Sequence, residues 1–187
     1  MSSKVSICSG ASLLVGGPPI SDINDNTTSA RLTFNLFENV QNDLLRMHPW
    51  NFATKRVTLS PLTSSPPYGY AYEFNTPSDM LRLIRVDLPT MCKDFRLEGG
   101  RILANTNTLN LCYVFKNEDI STWPSDFISA VMYELASQIA YPIAKSDTLR
   151  NTLEQKAQFK LMLAKFNNSQ ENPNSRIKHN PLMQARY

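Results

Sequence analysis

Residues 44–56, LLRMHPWNFATKR, mark the point at which the sequence changes from a helical to an extended pattern. A helical apolar repeat runs into a His-Pro pair and stops, because the residue before a proline is disfavoured in helical geometry. An imidazole near a helix C-terminus complements the partial negative charge there, and aromatic side chains pack well where a helix meets a sheet. We therefore predict a structural corner, rather than a catalytic site, formed by His48, Pro49, Trp50, Asn51 and Phe52.

Helical periodicity recurs on both sides of this corner. Apolar residues at three- and four-residue spacing predict amphipathic helices over residues of about 3–15, 29–48, 124–145 and 147–166. Pro124 suits the first position of the third helix, and Pro142 is expected to end or kink it. Ser146 is a favourable N-cap for the fourth helix. The buried side of that helix is predicted to carry Leu149, Leu153, Ala157, Leu161 and Ala164.

Residues of about 52–116 have the alternating pattern of an antiparallel β-sheet. The stretch 68–74 is predicted to be a strand with Tyr68, Tyr70, Tyr72 and Phe74 on one face. Residues 81–88 and 109–115 are further strands, and Gly99-Gly100 predicts a two-residue hairpin turn inside 95–103. The row of tyrosines is typical of a core or of a subunit interface.

The predicted fold is α+β, a helical bundle interrupted by a small antiparallel β-sheet. The 187 residues are enough for one domain, because chains of this length bury roughly 70% of their unfolded surface. With 42% hydrophobic and 19% charged residues, the composition is typical of a globular protein. We assign residues 1–166 to a single domain. Residues 167–187 contain few large apolar side chains and are predicted to form an extended C-terminal arm.

The three cysteines indicate a reducing compartment. Cys8, Cys92 and Cys112 are far apart and odd in number, which favours buried free thiols over a disulfide framework. The N-terminal apolar run is too short for a signal peptide, and no stretch has transmembrane length. We expect a protein that is assembled in the cytoplasm and has no membrane-spanning segment.

No catalytic, cofactor-binding or metal-ligating motif stands out in the sequence. It lacks a zinc-ligand cysteine pair, a Walker loop, a dinucleotide-binding glycine motif and a nucleophile elbow. We therefore predict no enzyme activity, no cofactor and no metal. A polysaccharide-degrading enzyme remains an alternative, because its chemistry needs only two carboxylates. The available acids are Glu73, Asp79, Asp87, Glu98, Asp119 and Asp126.

A second alternative is binding to single- or double-stranded DNA. Lys55 and Arg56, with nearby aromatic side chains, have the residue types of a stacking and phosphate-binding site. The net charge of +3 is too small to indicate nucleic-acid binding by itself. Charges at the edge of a strand are also a common structural feature, so the two interpretations stay open.

The order of several segments resembles the tail tubular protein A family, the head-to-tail adaptors of short-tailed bacteriophages. The resemblance covers roughly residues 3–166. It includes ICSGASLLVGGPPISDINDNTTSARL (7–32), RMHPWNFATKRVTL (46–59), PPYGYAYEFNTPSDMLRLIRV (66–86), EGGRILAN (98–105) and WPSDFISAVMYELASQIA (123–140).

This resemblance implies a structural virion protein in the neck of the phage tail. Family members are expected to form a dodecameric ring between the portal protein and the tail nozzle or tubular partner. Such a ring extends the DNA channel, touches DNA only transiently, and offers docking surfaces for tail fibres. We expect the arm to bind the portal through Arg176, Lys178, His179, Arg186 and Tyr187. The tyrosine row would contact another subunit or the next tail component.

Overall fold

A computed structural model describes residues 3–22, 24–88 and 94–171. These residues form four α-helices and six β-strands, which confirms the predicted α+β class. The helices are α1 (Lys4–Leu14), α2 (Thr28–Met47), α3 (Ser125–Ala144) and α4 (Asp147–Gln170). The strands are β1 (Thr54–Leu59), β2 (Tyr72–Asn75), β3 (Met80–Asp87), β4 (Phe95–Glu98), β5 (Arg101–Ala104) and β6 (Leu109–Phe115).

Side-chain caps fix the starts of three helices. Ser3 accepts a hydrogen bond from the Ser6 backbone before α1, and Thr27 accepts one from the Ala30 backbone before α2. Ser146 accepts from the backbone of Leu149 at the start of α4, where the sequence predicted a cap. Each cap satisfies a backbone N–H that has no partner inside its helix.

Helix α4 is longer than the sequence predicted. It runs to Gln170, so residues 167–170 belong to the helix and not to an arm. The prediction was wrong here because Asn167 and Asn168 have low intrinsic helix propensity. In the structure Asn168 is nearly buried and hydrogen-bonded to a distant part of the chain, and this tertiary contact outweighs propensity. The rest of the predicted arm, 172–187, lies outside the described residues.

The prolines at the start and near the end of α3 lie at positions that differ slightly from those predicted. Pro124 is the N-cap residue, and the first helical residue is Ser125. Pro142 lies inside the helix, which continues to Ala144. A proline this close to the end removes only one hydrogen bond of the last turns, so the helix tolerates it. Lys145 then adopts a left-handed conformation with φ of 50° and ends the helix.

Helix α3 is the centre of the helical layer. Helices α1, α2 and α4 all pack against it. Its predicted apolar stripe is fully buried, with Phe127, Val131, Leu135 and Ile139 all at 1% exposure or less. A helix that is packed on several sides must be apolar around most of its circumference, as α3 is.

The strands form two three-stranded antiparallel sheets within the described residues, where the sequence predicted one small sheet. The first has the order β1-β6-β3 and the second the order β2-β5-β4. The predicted hairpin joins β4 to β5, and Gly99 and Gly100 have φ values of 56° and 75° as its two-residue turn requires. Side chains from both sheets share one hydrophobic core, which includes Phe74, Ile102, Leu109 and Leu111.

Strand β6 connects the sheets to the helices. Its alternate residues Leu109, Leu111 and Tyr113 belong to the core between the sheets. Val114 belongs to the helical core, together with Trp50. This division follows from strand geometry, because successive side chains point to opposite faces. Strand β6 therefore joins the helical layer to the sheets, since its side chains contribute to both hydrophobic cores.

The predicted tyrosine strand is shorter than expected. Strand β2 begins only at Tyr72, and Tyr68 and Tyr70 lie in the preceding loop. Gly69 has φ of 86°, which interrupts the extended conformation that the alternating sequence indicated. Tyr68 is 87% exposed, whereas Phe74 is fully buried in the core shared by the sheets. The four side chains therefore do not form one face. Phe74 is buried, so its predicted place in a subunit or tail interface was wrong.

Candidate functional site

The segment 48–52 turns the chain from helix α2 into strand β1. His48 ends α2 with extended backbone angles, and residues Asn51–Ala53 form one 3-10 turn before β1. Trp50 is 1% exposed, and its indole N–H donates to the backbone oxygen of Leu44 at 2.9 Å. That carbonyl belongs to the last turn of α2, whose oxygens lack partners inside the helix. The indole thus completes the end of the helix.

Aromatic rings fill the space behind this turn. The Trp50 ring meets Phe127 of α3 edge to face, with ring centroids 4.9 Å apart. Phe52 lies 4.9 Å from the same phenylalanine, and Trp123 lies 5.1 Å from it. Such contacts add stability beyond the burial of apolar area. These side chains are already packed within one chain and are not available to stack on a ligand.

Two asparagines join the corner to the end of α4. The Asn51 backbone N–H donates to Asn168 Oδ1 at 2.9 Å, and Asn51 Nδ2 donates to the Asn168 carbonyl at 2.9 Å. Asn51 Nδ2 also donates to Glu171 Oε2 at 3.2 Å. The side-chain amide nitrogen of Asn168, Nδ2, is 3.1 Å from His48 Nε2. No local sequence pattern indicates this network, because its members are far apart along the chain.

The environment of His48 favours the neutral imidazole. Partial burial lowers the pKa of His48 below its ordinary value, and the positive charges of Lys165 and Arg82 lower it further. The group also uses Nε2 as an acceptor, since Asn168 donates its amide N–H to that atom. These contacts give His48 a structural role in the corner.

The basic pair in β1 does not form a single cationic site. Successive residues of a strand point to opposite faces, and Lys55 and Arg56 follow this rule. Lys55 Nζ is 2.8 Å from Asp79 Oδ2 and lies over the Phe115 ring. Arg56 is exposed on the other face, opposite Cys112 in the strand register. The positive charge of Lys55 is therefore paired with the carboxylate of Asp79. The two basic side chains lie on opposite faces of the strand and cannot bind the same phosphate.

Most of the acids considered for hydrolysis have structural partners. Glu73 is nearly buried and pairs with Arg101 at 2.6 Å. Although burial alone would raise the pKa of Asp79, hydrogen bonds from Lys55 and Tyr113 lower it below its ordinary value. A catalytic acid needs the opposite shift. Asp87 pairs with Arg85, Asp119 caps the 3-10 turn Ile120–Thr122, and Asp126 accepts from Asn167.

Two further sequence predictions concern metals and membranes. Within residues 3–22, 24–88 and 94–171, no group of three or more His, Cys, Asp and Glu side chains is placed to hold a metal ion. In the same part of the chain, no helix combines the length and apolar character needed to cross a bilayer. The predicted portal-binding residues Arg176, Lys178, His179, Arg186 and Tyr187 lie outside the described residues.

Helix α4 carries an apolar surface that sequence reasoning missed. Phe159, Met162 and Phe166 are 55%, 58% and 60% exposed, and Leu163 beside them is half-buried. At 3.6 residues per turn, these four residues lie on the side of α4 opposite its core-facing residues Leu153, Ala157 and Ala164. We call Phe159, Met162, Leu163 and Phe166 the outer face of α4. Contiguous exposed apolar residues of this kind mark interaction sites in soluble proteins.

The spacing of the outer face could have been read from the sequence. Its members stand at positions i, i+3, i+4 and i+7, the pattern of a helix that binds in a groove. The buried face of α4 has a similar spacing, so periodicity alone did not show that one helix has two apolar faces.

A scan of the chain against protein-family models found no matching family, and a search of curated proteins found no matching relative.

Proposed function

We propose that this chain is a structural subunit of the head-to-tail adaptor ring in a short-tailed bacteriophage. In this proposal, copies assemble between the portal and the tail nozzle, extend the DNA channel, and contribute no catalysis. The virion neck is the expected location, after assembly in the host cytoplasm. The observation that carries the proposal is the outer face of α4, because exposed aromatic side chains on a long helix are suited to contact another subunit.

Two other features support a structural role. The resemblance to tail adaptors follows the order of elements along residues 3–166, and strand β6 joins the helical layer to the sheets. The side chains that first suggested chemistry, His48 and Asp79, have hydrogen-bond partners within the chain. A ring subunit requires two unlike surfaces that contact its neighbours, and an exposed apolar helix face can supply one of them.

Binding to portal-bearing heads tests the proposal directly. Purified chain is mixed with heads that carry the portal but no tail, and bound copies are counted by quantitative mass spectrometry and imaged by cryo-electron microscopy. We expect a ring of density below the portal. Phage particles that lack the chain, or a lone subunit that turns over a small substrate, would refute the proposal.

The C-terminal residues supply a second part of the proposal, in which 172–187 bind the portal. The test variant lacks residues 172–187 and keeps everything before them, because Asn168 and Glu171 are hydrogen-bonded to Asn51 in the corner. The truncated chain is expected to melt like the full chain and to bind heads more weakly. Unchanged binding would exclude the C-terminal residues from portal contact without affecting the ring proposal.

A further inference from the structure

We propose that the outer face of α4 in one copy binds a groove between α2 and α4 in the next copy. The inference rests on the proposed ring, because it names the partner of the same outer face. It goes further by assigning both sides of the contact between neighbouring subunits.

The groove lies between α2 and α4, with α3 as its floor. It consists of two cavities of about 240 and 530 Å³ that share Glu134, Gln138 and Glu154 as lining residues. Apolar side chains on both walls line it, among them Val40 and Leu44 of α2 and Leu161 of α4. We call it the α2–α4 groove. Two adjoining cavities lined by both apolar and polar side chains suit a helix that has apolar anchors and charged flanks.

The two proposed surfaces carry opposite charge. Asp43, Glu134 and Glu154 line the groove, and Arg150 is the one basic residue among its lining side chains. The part of α4 from 155 to 170 contains three lysines and no acid. By helical spacing, Lys156 and Lys160 lie along one border of the outer face. Complementary charges across an interface fix its register and disfavour other pairings.

The two surfaces point in different directions from the same helix. Ala157 and Leu161 of α4 line the groove, and Phe159 and Phe166 belong to the outer face. At 3.6 residues per turn, the centres of these two sets are roughly 170° apart around the helix axis. A contact between unlike surfaces is heterologous, so each copy can bind one neighbour on each side. Such a contact forms a ring when its rotation closes.

A charge-exchange experiment tests this pairing. One variant, Lys156→Glu with Lys160→Glu, reverses the border of the outer face. The other, Asp43→Lys with Glu154→Lys, reverses the groove. Self-association of each is measured by sedimentation velocity and on portal-bearing heads. Each variant alone is expected to associate roughly tenfold more weakly than the unchanged chain, because two attractive charge pairs become repulsive. An equal mixture is expected to regain assembly with the two variants alternating.

An apolar substitution provides an independent test with a matched control. Phe159→Ser with Phe166→Ser removes two exposed rings from the outer face and is expected to reduce assembly. Leu13→Ser removes a similarly exposed apolar side chain from α1, 56% exposed, and is expected to leave assembly unchanged. Circular dichroism and thermal melting establish that all variants fold.

The outcomes separate this inference from the proposed function. Recovery in the mixture supports the pairing of outer face with groove. If the unchanged chain assembles and the charge variants assemble equally well, the inference is overturned and the ring proposal stands. If removal of 172–187 abolishes assembly and the charge variants do not, that segment occupies the groove and the inference is again overturned. A chain that neither self-associates nor binds heads refutes both.

Discussion

Asn51 and Asn168, which are 117 residues apart in the sequence, are joined by two hydrogen bonds of 2.9 Å each. In one, the backbone of Asn51 donates to the side chain of Asn168. In the other, the side chain of Asn51 donates to the backbone of Asn168. This reciprocal pair fixes the end of α4 against the turn that follows α2. Glu171, the last described residue of the chain, therefore lies next to the corner.

Replacing Asn168 should weaken the whole fold. Asn168→Ala removes the acceptor of the Asn51 N–H and the amide that donates to His48 Nε2, and the loss of these two part-buried hydrogen bonds should cost about 1–3 kcal/mol of unfolding free energy. The measurement is urea denaturation followed by far-ultraviolet circular dichroism. Asn151→Ala, at an exposed position of the same helix, is the control and should change the unfolding free energy by less than about 0.5 kcal/mol. Equal effects of the two substitutions would contradict the assigned role.

This pair also shows where prediction from the sequence reached its limit. The end of α2 at His48-Pro49 follows from local steric rules, and the helix and hairpin signals were likewise local. Asn51 and Asn168 meet only because α3 and α4 fold back onto the corner, and no short-range pattern encodes that contact. Sequence reasoning therefore located the corner and missed the residue that anchors it.

The outer face of α4 was missed for a different reason. Periodicity identified a buried side containing Leu153 and Ala157, and the structure agrees with that. Phe159 and Phe166 repeat with the same period on the other side, so periodicity alone does not show that this second apolar set stays exposed. Only the packing against α3 decides it. The predicted tyrosine strand was wrong over Tyr68 and Tyr70 because Gly69, with its left-handed backbone, interrupts the extended conformation that the alternating sequence indicated.

Two arginines of β3 should differ in their contribution to stability. Arg82 Nη1 donates to the carbonyl oxygens of Arg46 and Met47 at 3.1 and 3.2 Å, which are free acceptors at the end of α2. Arg85 pairs with Asp87, and both side chains are more than half exposed. Arg82→Ala is expected to lower the unfolding free energy by about 1–2 kcal/mol. Arg85→Ala should cost under about 0.5 kcal/mol.

Chemical denaturation of both variants under identical conditions gives the comparison. The two positions share a strand and a residue type, so differences in strand propensity largely cancel. A larger loss for Arg85→Ala than for Arg82→Ala would show that the contact with the end of α2 is not the important one.

The thiol of Cys8 should be inert in the folded chain. Cys8 is fully buried, and burial raises its pKa to about 11. The thiolate is the reactive form, so at pH 8 its fraction is roughly a hundredfold smaller than for a thiol with a pKa of about 9. Alkylation with iodoacetamide, followed by peptide mass mapping, measures the rate. Cys8 should be labelled rapidly only in urea, and equal rates in native buffer and in urea would contradict its burial.

The orientation of Asn168 determines which form of His48 the fold accepts. Asn168 Oδ1 is occupied by the Asn51 N–H, so Nδ2 faces His48 and donates to Nε2 at 3.1 Å. A protonated imidazole has no free acceptor, and protonation would therefore break this bond. The geometry agrees with the lowered pKa of His48, which burial and the charges of Lys165 and Arg82 produce.

Stability should therefore fall as the solution is acidified from pH 7.5 to pH 5.5. The lowered pKa of His48 means that the unfolded chain binds more protons in this range, so the unfolding free energy rises with pH. The contribution is complete above the unfolded histidine pKa of about 6.5 and is lost as the pH drops from there towards the lower folded value. His48→Gln should flatten the pH dependence of urea midpoints. His179→Gln removes the other histidine of the chain as the control, and equal slopes in the His48→Gln variant and the unchanged chain would rule out His48 as the group responsible.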